Sequence, residues 1–370
     1  NKMRMYEPSS EIWIDKKRIE NAQPVYFIAE IGSNFDNDIE RARDLIYMAK
    51  DAGADAAKFQ HYTADSLVSD YGFKKLGNSI SHQASWKKSV YETYKDASLN
   101  SDWTQILSET CNKAGLSFFT SPYSFDLVDQ VDQFIPAYKV GSGDITWIEI
   151  IKHMASKGKP ILLATGASSM DDVCRAVDEI LHITPEIILL QCNTNYTANK
   201  VNYSHLQLKV ISTFREKYPG IITGLSDHMP GHVAVLGAVA LGAKVIEKHF
   251  TDSVERKGPD HSFSMTPKTW REMVDRTREL ELSLGDGIKQ IEQNEIETVN
   301  VQRRSVYAAN LIKKGEIIQR KDVKVLRPFI DGGIQPFEMS SIIGKKVIRF
   351  IEANEIIQWK DIESEKGDIR

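Results

Sequence analysis

Two histidines stand at the ends of two strand-like runs within residues 221–260. The runs IITGLSDH and VIEKHF begin with β-branched apolar residues, as strands buried on both faces do, and they reach His228 and His249. Between them, HVAVLGAVALGAK has the Ala- and Leu-rich pattern of a helix, so the two strands should lie parallel and adjacent. Both imidazoles would then meet at one end of a sheet and could bind one divalent metal, if carboxylates or waters complete its shell. A lone histidine is more often a core or surface residue, but the adjacent Asp227 and Glu247 favour the metal-ligand interpretation.

Lysines and serines at other strand ends form a second group, which could bind an anion. A lysine at the end of a buried strand is costly unless it meets an anion, and hydroxyls and backbone N–H groups beside it complete a phosphate cradle. The group consists of Lys58, Ser121, Lys139, Ser142 and Ser226. Gly141 and Gly143 flank Ser142 and would let the backbone approach an anion closely. The alternative is that the lysines pair with carboxylates such as Glu30 or Asp144.

Three acids, Glu30, Glu247 and Asp260, could transfer protons or bind hydroxyl groups. Glu30 ends the first strand-like run, beside the expected metal, where it could act as a general base on water. Asp260 lies in the loop KGPDHSFS and could accept hydrogen bonds from sugar hydroxyls. A solvated loop aspartate is nearly as good an interpretation of Asp260 on spacing alone.

The elements that must position these groups are eight strand-like runs with amphipathic helical stretches between them. The runs are VYFIAEIG, AAKFQ, SFFTS, AYKVGSG, PILLATG, EIILLQC, IITGLSD and VIEKHF. Eight such alternations predict a (β/α)8 TIM barrel of class α/β, whose active sites lie at the carboxyl ends of the strands. Polar residues follow every one of the eight runs, as this fold requires of an enzyme. An open doubly wound sheet is the alternative, but IGSNFD does not supply its GxGxxG turn.

The remaining segments predict the domain organisation. We expect a barrel domain with an N-terminal hairpin at 1–285, a linker at 286–302 and a small β-rich domain at 303–370, within which KKGEII and EANEIIQ indicate an internal duplication. The connection 61–100 is long, polar and aromatic, so we expect it to cover the barrel mouth and to be helical around residues 86–95.

Composition excludes several classes of protein. A net charge of -4 gives no support for nucleic-acid binding, and no apolar run approaches the roughly 18 residues that a membrane span needs. Three widely spaced cysteines without CxxC argue against a disulfide framework and a zinc–thiolate site, so we expect a cytoplasmic protein. Among the cysteines, only Cys192 follows a strand-like run, and a nucleophilic role for it is not favoured.

The motifs that contain these residues resemble those of the sialic acid synthase family, whose members are also called N-acetylneuraminate synthases. The segments that carry the resemblance are IAEIGSN, KFQ, IPAYKVGSGD, LLATG, GLSDH, IEKHFT and GPDHSFSM, in the family's order. The C-terminal module resembles that family's antifreeze-like (SAF) domain, including the LRP at Arg327. The resemblance covers nearly the whole chain from about Val25.

The resemblance implies a role for each matching residue. It makes His228 and His249 the ligands of a divalent metal, Mn²⁺ in the first place with Mg²⁺ or Co²⁺ as alternatives. The implied phosphoenolpyruvate pocket is Lys58, Ser121, Lys139, Ser142, Thr165 and Ser226, and the implied catalytic residues are Glu30, Lys58 and Glu247. The implied sugar site is Glu30, Gln60, Asn78, Tyr123, Tyr196, Glu247, Asp260 and Arg327. Arg327 would come from a second subunit, which implies a homodimer formed by exchange of SAF domains.

The implied reaction condenses phosphoenolpyruvate with an N-acyl hexosamine, N-acetylmannosamine in the type case, and water. The metal polarises the sugar aldehyde, and carbon 3 of phosphoenolpyruvate attacks it. Water directed by Glu30 or Glu247 then adds to carbon 2, and phosphate leaves while the lysines neutralise its charge. No covalent enzyme intermediate is required.

Three departures from the family pattern bear on the acceptor sugar. Phe35 follows Asn34 where the family often has histidine, and Ala164 replaces a phosphate-binding serine, which leaves Thr165 to help. The 61–100 connection is also longer and more aromatic than in the type case, so the acceptor could be a precursor of legionaminic or pseudaminic acid.

Two rival functions are less well supported by the sequence. A condensing enzyme that acts on a phosphorylated aldose would need more cations for the second phosphate. A non-catalytic carbohydrate- or ice-binding protein would use the C-terminal module alone.

Overall fold

The chain folds as two units, Asn1–Gly285 and Asp286–Arg370, in a computed structural model that describes residues 4–77 and 86–364. Each unit has a hydrophobic core of its own. Every predicted site residue except Arg327 belongs to the first unit.

The main sheet follows a short antiparallel hairpin of β1 (Ile12–Ile14) and β2 (Lys17–Ile19). Its parallel strands are β3 Tyr26–Glu30, β4 Ala56–His61, β5 Ser117–Pro122, β6 Tyr138–Val140, β7 Ile161–Ala164, β8 Ile187–Cys192, β9 Ile222–Asp227 and β10 Val245–His249. Their order is β5-β4-β3-β10-β9-β8-β7-β6, so the last strand pairs with the first, and β5 and β6 lie side by side at the remaining seam. The predicted barrel is confirmed in nearly closed form. The open doubly wound alternative is wrong, because each strand lies beside its neighbours in the chain all the way round.

Apolar side chains fill the end of the barrel where the strands begin. The hairpin contributes three isoleucines to a buried cluster that includes the strand residues Ile28 and Val245. At the other end, His249 of β10 lies in register with Glu30 of β3, which brings the polar strand ends together. The barrel is therefore apolar where its strands start and polar where they end, the arrangement that barrel enzymes use for their active sites.

Helices join the strands of the barrel. They are α1 Ile39–Asp51, α2 Ala64–Leu67, α3 Asp70–Leu76, α4 Val90–Ala97, α5 Thr104–Ala114, α6 Phe125–Val131, α7 Ile148–Ala155, α8 Met170–Leu181, α9 Val210–Lys217, α10 Val233–Ala240 and α11 Pro267–Leu284. All but α2, α3 and α4 belong to the layer around its outside. In α8, Val173, Val177 and Ile180 recur on one face and are buried against the barrel. Its N-terminus is capped by Ser169, whose hydroxyl accepts from the amide of Asp172. Within the described part of the chain, no helix combines the length and apolarity that crossing a membrane requires.

The long connection between β4 and β5 carries three short helices, α2, α3 and α4. The helix expected around residues 86–95 is present but spans Val90–Ala97. The Tyr91 hydroxyl donates to Asp65 over 2.7 Å and so ties α4 to α2. Several side chains of this connection line the cavity at the barrel mouth, which confirms that it covers the mouth.

In the second unit, α12 (Ile296–Gln302) buries none of its side chains and precedes a two-stranded antiparallel sheet of β11 (Ser305–Ala308) and β12 (Val323–Leu326). Equivalent amide-to-carboxylate hydrogen bonds recur along this unit, from Lys313 to Glu316 and from Glu352 to Glu355. The sequence pattern behind the predicted duplication therefore corresponds to two similar turns.

Candidate active site

A cavity of about 380 Å³ opens at the carboxyl ends of the barrel strands. Twelve predicted site residues line it: Lys58, Gln60, Ser121, Tyr123, Lys139, Ser142, Tyr196, Ser226, His228, Glu247, His249 and Asp260. Because successive side chains of a strand point to opposite faces, Lys58 and Gln60 of β4 both point inward, as do Glu247 and His249 of β10. The strand alternation alone thus brings cations, carboxylates and imidazoles into one space.

Two lysines and two glutamates form a buried charge cluster at the base of this cavity. Lys58 pairs with Glu30, donates to the Ser121 hydroxyl over 3.0 Å, and lies 3.8 Å from Glu247. Lys139 donates to both carboxylate oxygens of Glu247, over 3.1 and 3.0 Å. Both lysines therefore pair with carboxylates, and Lys58 pairs with Glu30 as the alternative interpretation expected. A substrate anion entering this space would meet two preorganised cations.

Burial and charge act in opposite directions on the carboxylates of this cluster. Burial raises the pKa of Glu30 to about 7, even though Lys58 acts to lower it. Burial also opposes the charged form of Glu247, but Lys139 and Lys58 outweigh it and lower the pKa of that carboxyl. Two neighbouring glutamates thus differ in proton affinity, which suits Glu30 to exchange a proton near neutral pH while Glu247 stays charged.

The turn after β6 provides hydroxyl and backbone groups beside the cluster. The Ser142 hydroxyl accepts from the backbone amide of Gly166 over 2.9 Å, so its own hydrogen can be donated elsewhere. A Cβ atom at Gly166 would lie only 2.2 Å from Thr194, so this close approach requires glycine. Thr165 is not among the residues that line the cavity. Its hydroxyl donates to the Leu190 carbonyl over 2.8 Å, because it follows Ala164, which faces the cavity.

The two predicted metal ligands are neighbours in the cavity lining. The rings of His228 and His249 have centroids 5.5 Å apart. The Nδ1 atom of His228 lies 3.0 Å from the Asn193 carbonyl and donates to it, which directs the lone pair of Nε2 away from that carbonyl. Burial lowers the pKa of His228 to about 4, so the imidazole is neutral, as a metal ligand must be.

The donor set around these histidines is small. Across residues 4–77 and 86–364, no group of three or more His, Cys, Asp or Glu side chains is arranged to hold a metal. The Asp260 carboxylate lies near His249, with 4.0 Å between its Oδ2 and the ring Nδ1. The residues fit an ion that takes two imidazoles from the protein and completes its shell with water or substrate oxygens.

Polar groups continue around the cavity toward the loop after β3. Gln60 donates to Glu30 over 3.0 Å, and the Ser33 hydroxyl donates to Asp260 over 3.1 Å. Burial raises the pKa of Asp260 to about 6. Tyr196 lies edge-on to His228, with 4.3 Å between ring centroids. These groups offer both donors and acceptors to a hydroxylated ligand.

Glu30, an expected sugar-site residue, is not among the residues that line the cavity; it is bonded to Lys58 and Gln60. Phe35, which follows Asn34 where the family often has histidine, is buried against Phe59 and Trp103 and belongs to the hydrophobic core. Asn78 lies outside the described residues. Arg327 belongs to the second unit, where its side chain is exposed.

Two family models match the sequence of this chain. The model of the NeuB family matches residues 45–289, and that of the SAF domain matches residues 303–363. The chain belongs to the NeuB family. This confirms the resemblance read from the sequence motifs.

Named NeuB relatives differ in the sugar acid that they make. The chain is 33% identical to the N,N'-diacetyllegionaminic acid synthase of Legionella pneumophila, over 92% of this chain and 95% of the relative. It is also 33% identical to a pseudaminic acid synthase of Campylobacter jejuni, over 91% of this chain and 96% of the relative. The crystal structure of an N-acetylneuraminic acid (sialic acid) synthetase from Leptospira borgpetersenii, in complex with citrate, has a TM-score of 0.68 to this chain. Its sequence is 29% identical, over 79% of this chain and 96% of that one.

The NeuB motif IEKHFT also contains a residue whose role the sequence did not indicate. Lys248 is buried on the outer face of β10, and its ammonium group donates to Asp227, to the Met229 carbonyl and to the Gly231 carbonyl, each over 2.7 Å. These bonds hold the turn that follows β9, and His228 lies in that turn. The sequence offered one signal for this role. Lys248 stands between two residues that face the cavity, so its side chain must lie on the opposite, buried face of the strand. A lysine buried there needs several hydrogen-bond acceptors.

Proposed function

We propose that this chain condenses phosphoenolpyruvate with an N-acyl hexosamine and water, giving a nine-carbon sugar acid of the sialic acid type and inorganic phosphate. The observation that carries the proposal is the buried pair Lys58 and Lys139, held by Glu30 and Glu247 at the base of a cavity wide enough for two small substrates. The names of the NeuB relatives support the same reaction class. The sequence resemblance supplies N-acetylmannosamine as the reference acceptor.

The residues of the cluster have separable roles in this proposal. Lys58, Lys139 and the hydroxyls of Ser121, Ser142 and Ser226 would hold the phosphate and carboxylate of phosphoenolpyruvate. Carbon 3 forms the new bond to the aldehyde carbon, water adds its oxygen to carbon 2, and the carbon–oxygen bond to phosphate breaks as carbon 2 becomes a ketone. The two protons of the water end on the former aldehyde oxygen, which becomes a hydroxyl, and on the released phosphate. Glu30, whose pKa lies near neutrality, would take the proton from that water, while the lysines balance the charge of the departing phosphate.

His228 and His249 would hold a divalent cation, Mn²⁺ or alternatively Mg²⁺ or Co²⁺. When bound, such an ion supplies Lewis-acid polarisation of the sugar aldehyde. His228 is prepared for this role by its hydrogen bond to the Asn193 carbonyl, which keeps Nδ1 protonated and Nε2 free to bind. Asp260, Gln60 and Tyr196 would orient the sugar hydroxyls.

We further propose a homodimer in which Arg327 of one subunit contacts the N-acyl group in the other. The resemblance to the sialic acid synthases supports this, together with the exposed position of Arg327. Arg327→Ala should chiefly raise the KM for the sugar, so the test mixes it with His249→Ala at a sugar concentration where each variant alone has little activity. Subunits that exchange domains would then rebuild one intact site per mixed dimer. Recovered activity in the mixture supports the exchange, and a mixture as inactive as its components contradicts it.

Phosphate release tests the reaction itself. We expect release from phosphoenolpyruvate only when N-acetylmannosamine or a related N-acyl sugar is present, and we expect chelation of divalent metals to abolish it. His249→Ala should keep the unfolding temperature and circular dichroism spectrum of the parent but lose bound metal and turnover. Full activity in a metal-free His249→Ala protein would contradict the assigned role.

A further inference from the structure

A buried histidine beside the cavity joins two of the loops at the barrel mouth. His261 lies in the loop after β10, is fully buried, and is not among the described residues that line the cavity. Its Nδ1 atom lies 2.8 Å from the Thr251 hydroxyl, and its Nε2 atom lies 2.7 Å from Oδ1 of Asp36. Asp36 belongs to the loop after β3, so this second contact crosses from one loop to the other. We call the contact between His261 and Asp36 the inter-loop pair.

Hydrogen-bond chemistry fixes the direction of the inter-loop pair. An ionised carboxylate can only accept, so Nε2 of His261 carries a proton and donates it to Asp36. The Thr251 hydroxyl can satisfy Nδ1 in either direction, because it both donates and accepts. Both ring nitrogens therefore have partners, as buried polar atoms require. Removing the Asp36 carboxylate would leave a buried N–H group without its acceptor.

Asp36 is held from its other side by a second connection between the same loops. Its Oδ2 atom lies 3.2 Å from Nε of Arg41. Arg41 also donates to both carboxylate oxygens of Asp252, over 2.7 and 2.8 Å, and Asp252 lies in the loop after β10. Its guanidinium further donates to the Asn34 carbonyl, over 3.1 and 2.8 Å. The two loops are thus joined by both a histidine and an arginine, and Asp36 contacts both.

The loop segments next to the inter-loop pair carry groups that face the cavity. Asp260 directly precedes His261, and its carboxylate accepts from the Ser33 hydroxyl over 3.1 Å. Asp260 and Ser33 both line the cavity. A Cβ atom at Gly258 would lie 2.7 Å from the His261 ring, so the loop closes tightly on the imidazole. The place of the Asp260 carboxylate therefore depends on where the His261 ring is held.

We propose that the inter-loop pair is a positioning element, in which His261, held by Asp36, fixes the Asp260 carboxylate where it can bind a hydroxyl of the acceptor sugar. This inference rests on the proposed function, which gives Asp260 that contact. His261 does not line the cavity, so it acts through its neighbour and not on a substrate. A displaced Asp260 would weaken the binding of the sugar but leave the lysine cluster in place. The loss should therefore appear in the KM for the sugar and not in the binding of phosphoenolpyruvate.

Two substitutions break the inter-loop pair from its two sides. His261→Phe keeps a ring and removes both nitrogens, and Asp36→Gly removes the carboxylate at a φ of +52°, which glycine adopts without strain. In the phosphate-release assay we expect each to raise the KM for N-acetylmannosamine about tenfold or more. The Kd for phosphoenolpyruvate in calorimetry should change less than about twofold. Asp36→Asn keeps an oxygen acceptor and tolerates the same φ, so it should restore most of the parent KM.

A second histidine–aspartate pair provides the matched control. His153 of α7 contacts Asp129 of α6 over 2.8 Å on the outside of the barrel. His153→Phe should therefore leave both the sugar KM and the Kd for phosphoenolpyruvate unchanged. A double-variant cycle then tests whether the pair acts through Asp260. Once Asp260→Ala has removed the carboxylate, adding Asp36→Gly should weaken sugar binding in calorimetry no further.

Three results would contradict these expectations. An equal further loss of sugar binding in the double variant would show that the pair reaches the site by another route, and would overturn the proposal. An unchanged sugar KM in both His261→Phe and Asp36→Gly, or a sugar KM and a phosphoenolpyruvate Kd that rise alike, would overturn it while leaving the reaction in place. A parent protein that releases no phosphate with any N-acyl sugar would overturn the proposed function, and with it the role given to Asp260.

Discussion

Replacing Lys248 with methionine should destabilise the turn that carries His228. The ammonium group has three acceptors at 2.7 Å, and the side chains of Lys248 and Asp227 are each 1% exposed. Methionine fills a similar volume but removes the ammonium donor from two carbonyls and from the Asp227 carboxylate, which keeps its hydrogen bond from the Met229 amide. Removing one partner of a buried ion pair costs about 3 to 5 kcal/mol, because the remaining charge stays buried and uncompensated.

Native-state hydrogen exchange measures this effect locally and does not require the two units to unfold together. The amides of residues 227–229 and of Gly231 should lose about 3 to 5 kcal/mol of protection in Lys248→Met, and those of the second unit should be unchanged. The matched control is Asp227→Asn combined with Lys248→Met, which removes both charges and should be less destabilised than the sum of the single changes. Loss of less than about 1 kcal/mol in Lys248→Met, a value typical of exposed ion pairs, would refute the reasoning. So would strict additivity in the double variant.

Three further predictions concern the charge cluster, a buried histidine and the turn beside the cavity. Glu247→Gln removes a carboxylate that competes for the lysines, so phosphoenolpyruvate should bind roughly ten times more tightly in calorimetry. Its kcat should nevertheless fall about 100-fold or more. Weaker binding together with the lower kcat would contradict this. Burial lowers the pKa of His61 from 6.5 to about 4. Below pH 6.5 the unfolded chain therefore binds a proton that the folded chain does not, which favours unfolding. Up to about 3 kcal/mol of the free energy of unfolding should be lost as the pH falls to 4. His61→Gln should flatten that part of the pH–stability curve, and an unchanged slope would argue against it. Gly166→Ala should lower the unfolding temperature and raise the KM for phosphoenolpyruvate about tenfold, because the new methyl group meets Thr194 at 2.2 Å. Gly143→Ala is the control: an added Cβ there meets no protein atom within 4 Å, so the unfolding temperature should not change.

The barrel could be predicted because parallel strands buried on both faces leave uninterrupted apolar runs in the sequence. The runs end where the strands are no longer buried on both faces. Residues such as Lys58 and Glu247 could therefore be assigned to the end of the barrel at which the strands finish. The eight runs identified in the sequence correspond to β3–β10 of the structure. Period-2 alternation then gives the inward direction of most site residues.

Side-chain direction in loops could not be predicted in this way. Phe35 and Thr165 lie just beyond strand ends, where alternation no longer holds, and both point away from the cavity. The partners of Lys248 are backbone carbonyls of a turn, which no sequence pattern displays. The place of Tyr62, Trp86 and Tyr94 in the cavity lining depends on how α2 and α4 fold over the barrel, and the sequence showed only that their segment is long and rich in aromatic residues.

The most direct test of the central claim is to follow carbon 3 of phosphoenolpyruvate and the phosphate in one reaction. With carbon 3 labelled with ¹³C and an N-acyl hexosamine present, carbon and phosphorus NMR should show one new methylene, bonded to the former aldehyde carbon, for each phosphate released. Phosphate that appears together with labelled pyruvate, or at the same rate without the sugar, would mean that the lysine cluster only hydrolyses phosphoenolpyruvate, and would contradict the account.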